Sequence, residues 1–249
     1  MARQTERDMT AEVRRVRGRR RTLDEEQILE AALSLLASRG ADSVSVRGIA
    51  SRVGVAPNAV YTYFPDKASV VRALAERILG EVDHGAFDDR DLPWRERIHA
   101  LAADLRARLI ARPGAIDLLL AGPLDGPNAL ALVETLLAIL ADAGLSPDDA
   151  ARASHLLIVH SLGSIALEVA ELDRPGPVLP EEQRVLRRQA ALRAVPADRY
   201  PRTASAADVM AGFITTEQFT WGLDRVLDGL SVQRSSEAKQ HPPDHPLRG

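Results

Sequence analysis

Residues 44–67 constrain this chain more than any other stretch. They read Val-Ser-Val-Arg-Gly-Ile-Ala-Ser-Arg-Val-Gly-Val-Ala-Pro-Asn-Ala-Val-Tyr-Thr-Tyr-Phe-Pro-Asp-Lys. Val46, Ile49, Ala50 and Val53 follow the spacing of a buried helical stripe, which predicts a first short helix over 46–53. Ser45 stands before it as a cap, and Gly54 follows it, where a left-handed residue often ends a helix. Pro57 then opens a second helix at a position where its missing N–H costs nothing. Val60 and Phe64 are four apart and face inward, while Asn58, Tyr61 and Thr62 share the opposite face. Pro65 ends the second helix, and Asp66 can cap the next. Two short helices around a tight turn, with polar and aromatic groups on the free face of the second, suit a helix-turn-helix that reads the DNA major groove. Such a face can donate and accept at base edges and phosphates. The competing reading is a generic helical hairpin inside a larger α-domain.

A helix before the pair is needed to hold it. Thr22 and Glu25 give a capping-box signature ahead of a stripe of Ile28, Leu29, Ala32, Leu33 and Leu36, with Gly40 to close it. Three helices thus fill 22–64. A longer one follows over 67–82, with Val70, Val71, Leu74 and Ile78 in register.

The wording of this region carries a family resemblance. Arg-Gly-Ile-Ala, Val-Gly-Val, Val-Tyr-Thr-Tyr-Phe and Asp-Lys resemble the N-terminal signature of the tetracycline-repressor-like (TetR) family, over residues 22–74. A weaker resemblance continues through Leu-Pro-Trp-Arg at 92–95, Ala-Arg-Pro-Gly at 111–114, Gly-Pro-Asn-Ala-Leu at 126–130 and Ala-Gly-Leu-Ser at 143–146. These look like the ligand-binding half of the tetracycline repressor's own branch and account for the chain to about residue 230. The resemblance implies an all-α homodimer. A three-helix helix-turn-helix DNA-binding domain (22–66) would precede a larger helical ligand-binding and dimerisation domain (67–230). It implies a one-component repressor released from a palindromic operator on double-stranded DNA by a small-molecule effector. By the same resemblance Arg47, Asn58, Ala59, Tyr61 and Thr62 meet bases, with Pro57 against the groove. Ser45, Tyr63 and Lys67 contact phosphates. Ala59 and Thr62 depart in size from the usual family choices, so no base preference follows from them.

Composition agrees with such a division. Residues 1–75 hold 13 Arg or Lys against 9 Asp or Glu, whereas the remainder holds 19 against 26. A basic reader and an acidic body would orient the protein on DNA. At 249 residues with 45% apolar content, a small domain and a larger one can both bury cores. There is no cysteine, which removes disulfides, thiol nucleophiles and Cys-based metal sites and fits a reducing cytoplasm. No N-terminal apolar signal segment appears. The longest apolar run, 156–167, is interrupted by His160, Ser161 and Ser164 and is too short to span a bilayer, so no membrane partner is expected.

Residues 1–21 lack helical periodicity and gather Arg14, Arg15, Arg17, Arg19, Arg20 and Arg21. They read either as a flexible solvated tail or as an arm that tracks phosphates or enters the minor groove, with Arg17, Arg19, Arg20 and Arg21 as its contacts. Further helices are predicted over 94–112, 128–143 and 147–172, separated by Pro and Gly. Residues 173–180 form a Pro-rich loop, 181–195 a helix and 196–205 a break. Thr215 and Gln218 make a capping box for a last helix with the stripe Phe219, Gly222, Leu223, Val226, Leu227 and Leu230. Residues 231–249 read as a disordered tail. Apolar groups surround 156–167, so that helix is buried on both sides. The resemblance implies that it and the last helix pair with their copies in a second subunit as a four-helix interface. Leu162, Ile165, Phe219, Leu223, Val226 and Leu227 would lie on that interface. One monomeric core is the competing reading.

Nothing in the sequence spells catalysis. His155 and His160 are five apart, not the four of a helical metal pair, and no nucleophile-elbow or phosphate-cradling motif is present. His155 is either a satisfied core residue or a hydrogen-bond partner for an effector. Asp117 is either an exposed or capped residue or a polar anchor in a pocket. The tetracycline repressor itself binds its drug with magnesium through a histidine on its sixth helix. Aligned on Arg112, Gly114 and Pro123, this chain has Leu118 there, and the neighbouring polar drug contacts fall near Leu101, Ala121 and Val159. That implies a pocket without metal or cofactor, completed by Leu105, Asp117 and His155, for an apolar effector. Two other functions compete. An enzyme with an incidental helix-turn-helix would need convergent titratable groups in a cavity. A ligand-independent DNA binder would have a solid body.

Overall fold

A computed structural model describes residues 23–83, 85–112, 114–172 and 179–240, and every regular element within them is a helix. Helix α1 spans Glu25–Arg39, a 3-10 turn Ala41–Ser43, α2 Val46–Val53 and α3 Pro57–Tyr61. The cap of α1 is Asp24 rather than Thr22, which lies outside the described residues. Asp24 accepts the Gln27 amide at 2.8 Å, and the Gln27 side chain donates back at 3.1 Å. A carboxylate at this position also suits the positive end of the helix. Gly54 ends α2 in the left-handed conformation (φ 75°, ψ 33°), which a side chain would resist. Helix α3 stops at Tyr61, short of the expected end at Phe64. The Tyr63 and Phe64 amides both fold back onto the Val60 carbonyl at 3.0 Å. Pro65 disfavours a helical residue before it and cannot extend the ladder itself. Ile28, Leu36, Ile49 and Val60 are fully buried and form the centre of this unit.

Helix α4, Lys67–Leu79, is capped by Asp66 through the Ser69 amide at 2.7 Å. It ends three residues earlier than the expected 82, although Val82 beyond it is buried. On one side α4 packs on α1, where Arg77 bridges Glu26 at 2.6 Å and Glu30 at 3.1 Å. On the other it packs on α7 (Ala115–Ala121) and α8 (Pro127–Asp142), so α4 joins the N-terminal unit to the body.

The body continues with α5 (Gly85–Asp88), α6 (Trp94–Ile110) and, after α7 and α8, α9 (Pro147–Leu172). It closes with α10 (Glu181–Arg193), α11 (Pro201–Ser205), α12 (Ala207–Ala211) and α13 (Thr216–Gln240). Two segments differ from the sequence expectation. The break expected over 196–205 contains α11, with Pro201 at a favourable first position. The tail expected from 231 is helical to Gln240, because Ser-Val-Gln-Arg-Ser-Ser-Glu-Ala-Lys-Gln holds no glycine or proline and several good helix formers. Residues 241–249 lie outside the described residues.

Helix α9 is the centre of the body and packs on α6, α7, α8 and α13. By length and composition alone its 26 residues could cross a membrane, contrary to the expectation drawn from the shorter run. Yet its inward face carries buried Ser154, Ser161 and Glu168. Glu168 receives Arg106 of α6 through two bonds of 2.9 Å each, a bidentate pair in a buried setting. Helix α13 meets α9 at Gly222, where a Cβ would lie 2.6 Å from the His160 ring. Helix α10 buries none of its residues. It is held by charge: Arg184 reaches Glu171 of α9 at 2.8 Å, and Arg188 pairs with the same carboxylate. Arg188 also donates to the Ala211 and Ile214 carbonyls, at 2.7 and 3.1 Å.

Candidate nucleic-acid interface and effector cavity

Helix α3 turns Val60 inward and leaves Pro57, Asn58, Tyr61 and Thr62 exposed, with Ala59 half-buried between the two faces. Thr62 donates its hydroxyl to the Asn58 carbonyl at 3.3 Å, so its oxygen is free only to accept. Ser45 accepts the Gly48 amide at 3.1 Å, which satisfies one open amide of α2 and keeps the serine proton for an outside acceptor. Arg47 and Lys67 are exposed at the starts of α2 and α4. The Tyr63 ring is exposed, but its hydroxyl donates to the Leu23 carbonyl. That proton, expected on a phosphate, is committed within the chain. It ties the end of the reader to the entry of α1. Arg17, Arg19, Arg20 and Arg21 of the expected arm lie outside the described residues.

A cavity of about 250 Å³ opens in the body. Leu79 and Val82 line it at and beyond the end of α4, and α6 supplies Ile98, Leu101, Ala102 and Leu105. From α8 come Ala129, Leu132, Val133 and Leu136, and from α9 Leu157, Ile158, Ser161 and Leu162. Leu119, Leu124 and Leu223 complete it, so among the described residues the Ser161 hydroxyl is the one polar side chain in the lining. Of the expected pocket residues, Leu101 and Leu105 are here. Leu118 is buried but turned into the core of α7 rather than the cavity. Asp117, Ala121, His155 and Val159 are exposed and outside the lining. Each misplacement is a matter of helical phase: on α9 the residues at 157, 158, 161 and 162 face in, which turns 155 and 159 out. The alternation of exposed Leu156 with buried Leu157 was not visible in a run apolar on all sides.

The same phase corrects the expected dimer residues. Leu162, Ile165, Phe219, Leu223 and Leu227 are buried inside the single chain, and Val226 is half-buried. Leu162 and Leu223 line the cavity. The late helices instead expose Leu156, Val159, Gly163 and Leu167 on α9 and Trp221 on α13. A Cβ on Gly163 would meet nothing within 4 Å.

Several charges around the body are paired with one another. Asp224 is held below the ordinary carboxylate range, first by the His99 hydrogen bond at 2.8 Å and then by Arg95. Asp142 is lowered by its bond to Arg97. Among the described residues no group of three His, Cys, Asp or Glu side chains could hold a metal.

Residues 28–74 match the family model for bacterial regulatory proteins of the tetR family. Residues 88–234 match that for the tetracyclin repressor-like C-terminal domain. The chain is 25% identical over 227 residues to the HTH-type transcriptional repressor DrrR1 of Streptomyces coeruleorubidus, covering 89% of this chain and 83% of that one. It is 29% identical over 208 residues to the class A tetracycline repressor protein of Escherichia coli, covering 83% and 90%. Among solved structures, a possible TetR family transcriptional regulator from Streptomyces coelicolor A3(2) superposes with a TM-score of 0.73 at 32% identity, over 84% of this chain and 99% of that one.

Proposed function

This chain belongs to the tetR family of bacterial regulatory proteins, and on that premise we propose a one-component repressor that an apolar molecule releases from DNA. One observation carries the reading. The cavity is walled at once by Leu79 at the end of α4, the helix that follows the reader, by Val82 just beyond it, and by α6, α8 and α9 of the body. An occupant there touches both halves of the molecule, so it binds the two orientations of α4 differently, which is the requirement for shifting between them. Among the described lining residues only Ser161 offers a polar side chain, which favours a neutral molecule with at most one hydroxyl or carbonyl to pair with it.

On DNA, Asn58, Ala59, Tyr61, Thr62 and Arg47 face the bases. Pro57 lies against the groove, and Ser45 and Lys67 take phosphates. Tyr63 is a positioning residue through Leu23. A single short reader covers few base pairs, so two copies on a palindrome are needed. The outward stripe of Leu156, Val159, Gly163 and Leu167, together with Trp221, is the surface on which they pair. Such a protein works in the cytoplasm, where its DNA is, and without catalytic activity. The relatives named as repressors support repression rather than activation.

The test is a gel shift on DNA flanking the protein's own coding region, with a series of neutral apolar alcohols and ketones. Binding as an even-numbered oligomer, relieved by at least one of them and unaffected by that compound in Ser161→Phe, is the expected result. Operator binding that no occupant relieves, with the cavity demonstrably filled by calorimetry, would leave a ligand-independent DNA binder.

A further inference from the structure

We infer that Glu76 is the positioning residue that couples the cavity wall to the DNA reader, an assignment that rests on the effector-release reading above. Glu76 sits on α4, one turn before its end. Its carboxylate accepts the first free amides of α8, Asn128 N–H at 2.7 Å and Ala129 N–H at 3.2 Å. The Asn128 side chain returns a bond to the Glu76 carbonyl at 2.8 Å. Helix α8 has no capping side chain of its own, since Gly126 stands at its N-cap. Its open amides are therefore satisfied from another helix, by an ionised acceptor at the positive end of the helix.

The backbone is shaped for this joint. A Cβ on Gly126 would lie 2.2 Å from the Glu76 carboxyl carbon, so the carboxylate occupies the space of the missing side chain. Gly80 leaves room in the same way, with a Cβ position 2.6 Å from the Asn128 amide nitrogen.

What the joint connects gives it a role beyond stability. Ala129 donates to Glu76 and lines the cavity, and Leu132, Val133 and Leu136 continue that wall. Leu79, three residues after Glu76, lines the cavity from α4. An occupant that parts α8 from α4 acts on the Glu76 bonds. The next residue, Arg77, bridges α4 to Glu26 and Glu30 of α1. Adjacent residues on one helix thus grip the body and the DNA-binding unit. Displacement of α8 reaches the reader through them.

The test replaces the unidentified effector by a filled cavity. Ala102→Phe fills it from α6, and Val133→Phe, from α8, serves as a second filling variant. Each is made with Glu76, Glu76→Ala and Glu76→Gln. Binding is read by fluorescence anisotropy on a duplex that the wild-type protein has selected from random DNA. With Glu76 present, filling should weaken binding at least about fivefold, and with Glu76→Ala less than about twofold. Glu76→Gln, which keeps an acceptor without the charge, should fall between. Equal weakening in the Glu76 and Glu76→Ala proteins would overturn the assignment while leaving the cavity reading intact. No weakening in either would remove the cavity reading and this coupling with it. Amide exchange at Asn128 and Ala129 in the free protein gives a readout that needs no DNA. It should quicken on filling, and unchanged exchange in a folded, filled variant would overturn the inference.

Discussion

Tyr63 and Arg47 both stand exposed beside the reader, yet they differ in what their polar atoms have left to give. The Tyr63 proton is held by the Leu23 carbonyl, forty positions earlier in the chain. Tyr63→Phe should therefore cost the DNA-binding unit about 0.5–1.5 kcal/mol, the net worth of one hydrogen bond, and weaken all DNA sequences alike. Arg47 keeps its fork free: among the described residues no hydrogen bond or ion pair is found on it. If it reads a guanine through both nitrogens, Arg47→Ala should lose about 1–3 kcal/mol at particular base pairs only. Binding to a panel of operators with single base changes separates the two behaviours. A variant without Arg47 that discriminates among them as the wild type does would remove it from the base contacts. Ser45 is intermediate. Ser45→Ala should cost about 0.5–2 kcal/mol as a lost cap, before any phosphate contact is counted.

Helix α10 gains its position from charge rather than burial, and its stability should follow pH accordingly. Burial pushes the Glu171 carboxyl up, but the hydrogen bonds and charges of Arg188 and Arg184 outweigh it and hold the group below its usual value. A carboxylate depressed in the folded state stabilises fully above its unfolded pKa, and the contribution is lost as pH falls through the folded one. The clasp should therefore be intact at neutral pH and open progressively below about 4.5, the ordinary value for this carboxyl. Glu171→Gln should open it at pH 7, seen as faster amide exchange over α10 with the other helices unchanged. Exchange over α10 equal to wild type at pH 7 would show that the Arg188 bonds to Ala211 and Ile214 suffice. None of this clasp was legible in the sequence, because arginines and carboxylates are frequent everywhere in the chain and pair by tertiary position. The elements were legible where punctuation is local. Ser45, Gly54, Pro57 and Asp66 bound α2, α3 and α4 by backbone rules that need no partner. The last turn of α3 was misread because the influence of Pro65 reaches back to the residue before it. The 196–205 segment was misread because Pro201 starts a helix as readily as it breaks one.

Across the whole molecule, the sequence marks two late helices as apolar but does not say which way they face. Both 156–167 and 219–230 are rich in apolar residues, and rotation about the helix axis decides whether a given leucine meets the cavity or a second copy. The structure turns Leu223 (1% exposed) and Leu227 (0%) inward and Val159 (53%), Leu167 (64%) and Trp221 (55%) outward. Four outward positions on α9, residues 156, 159, 163 and 167, follow helical spacing and make one stripe. Large apolar groups contiguous on one face of a regulator need a cover, and in the proposed dimer a two-fold axis would supply it with the same stripe. Gly163 lies open at its middle, where a facing helix can approach closely. The two kinds of substitution should then fail differently. Leu223→Glu buries an unpaired carboxylate at a cost of several kcal/mol and should unfold the body before assembly can be measured. Val159→Glu and Leu167→Glu put the same charge where water reaches it in the single chain, so each subunit should keep its helicity and its cavity. In the assembled protein that charge would be desolvated against its own copy, like charge facing like charge. Sedimentation at micromolar concentration should show a folded monomer, and operator binding should fall with it, because two half-sites are no longer held by one particle. A Leu167→Glu protein that stays folded and dimeric would move the interface off this stripe.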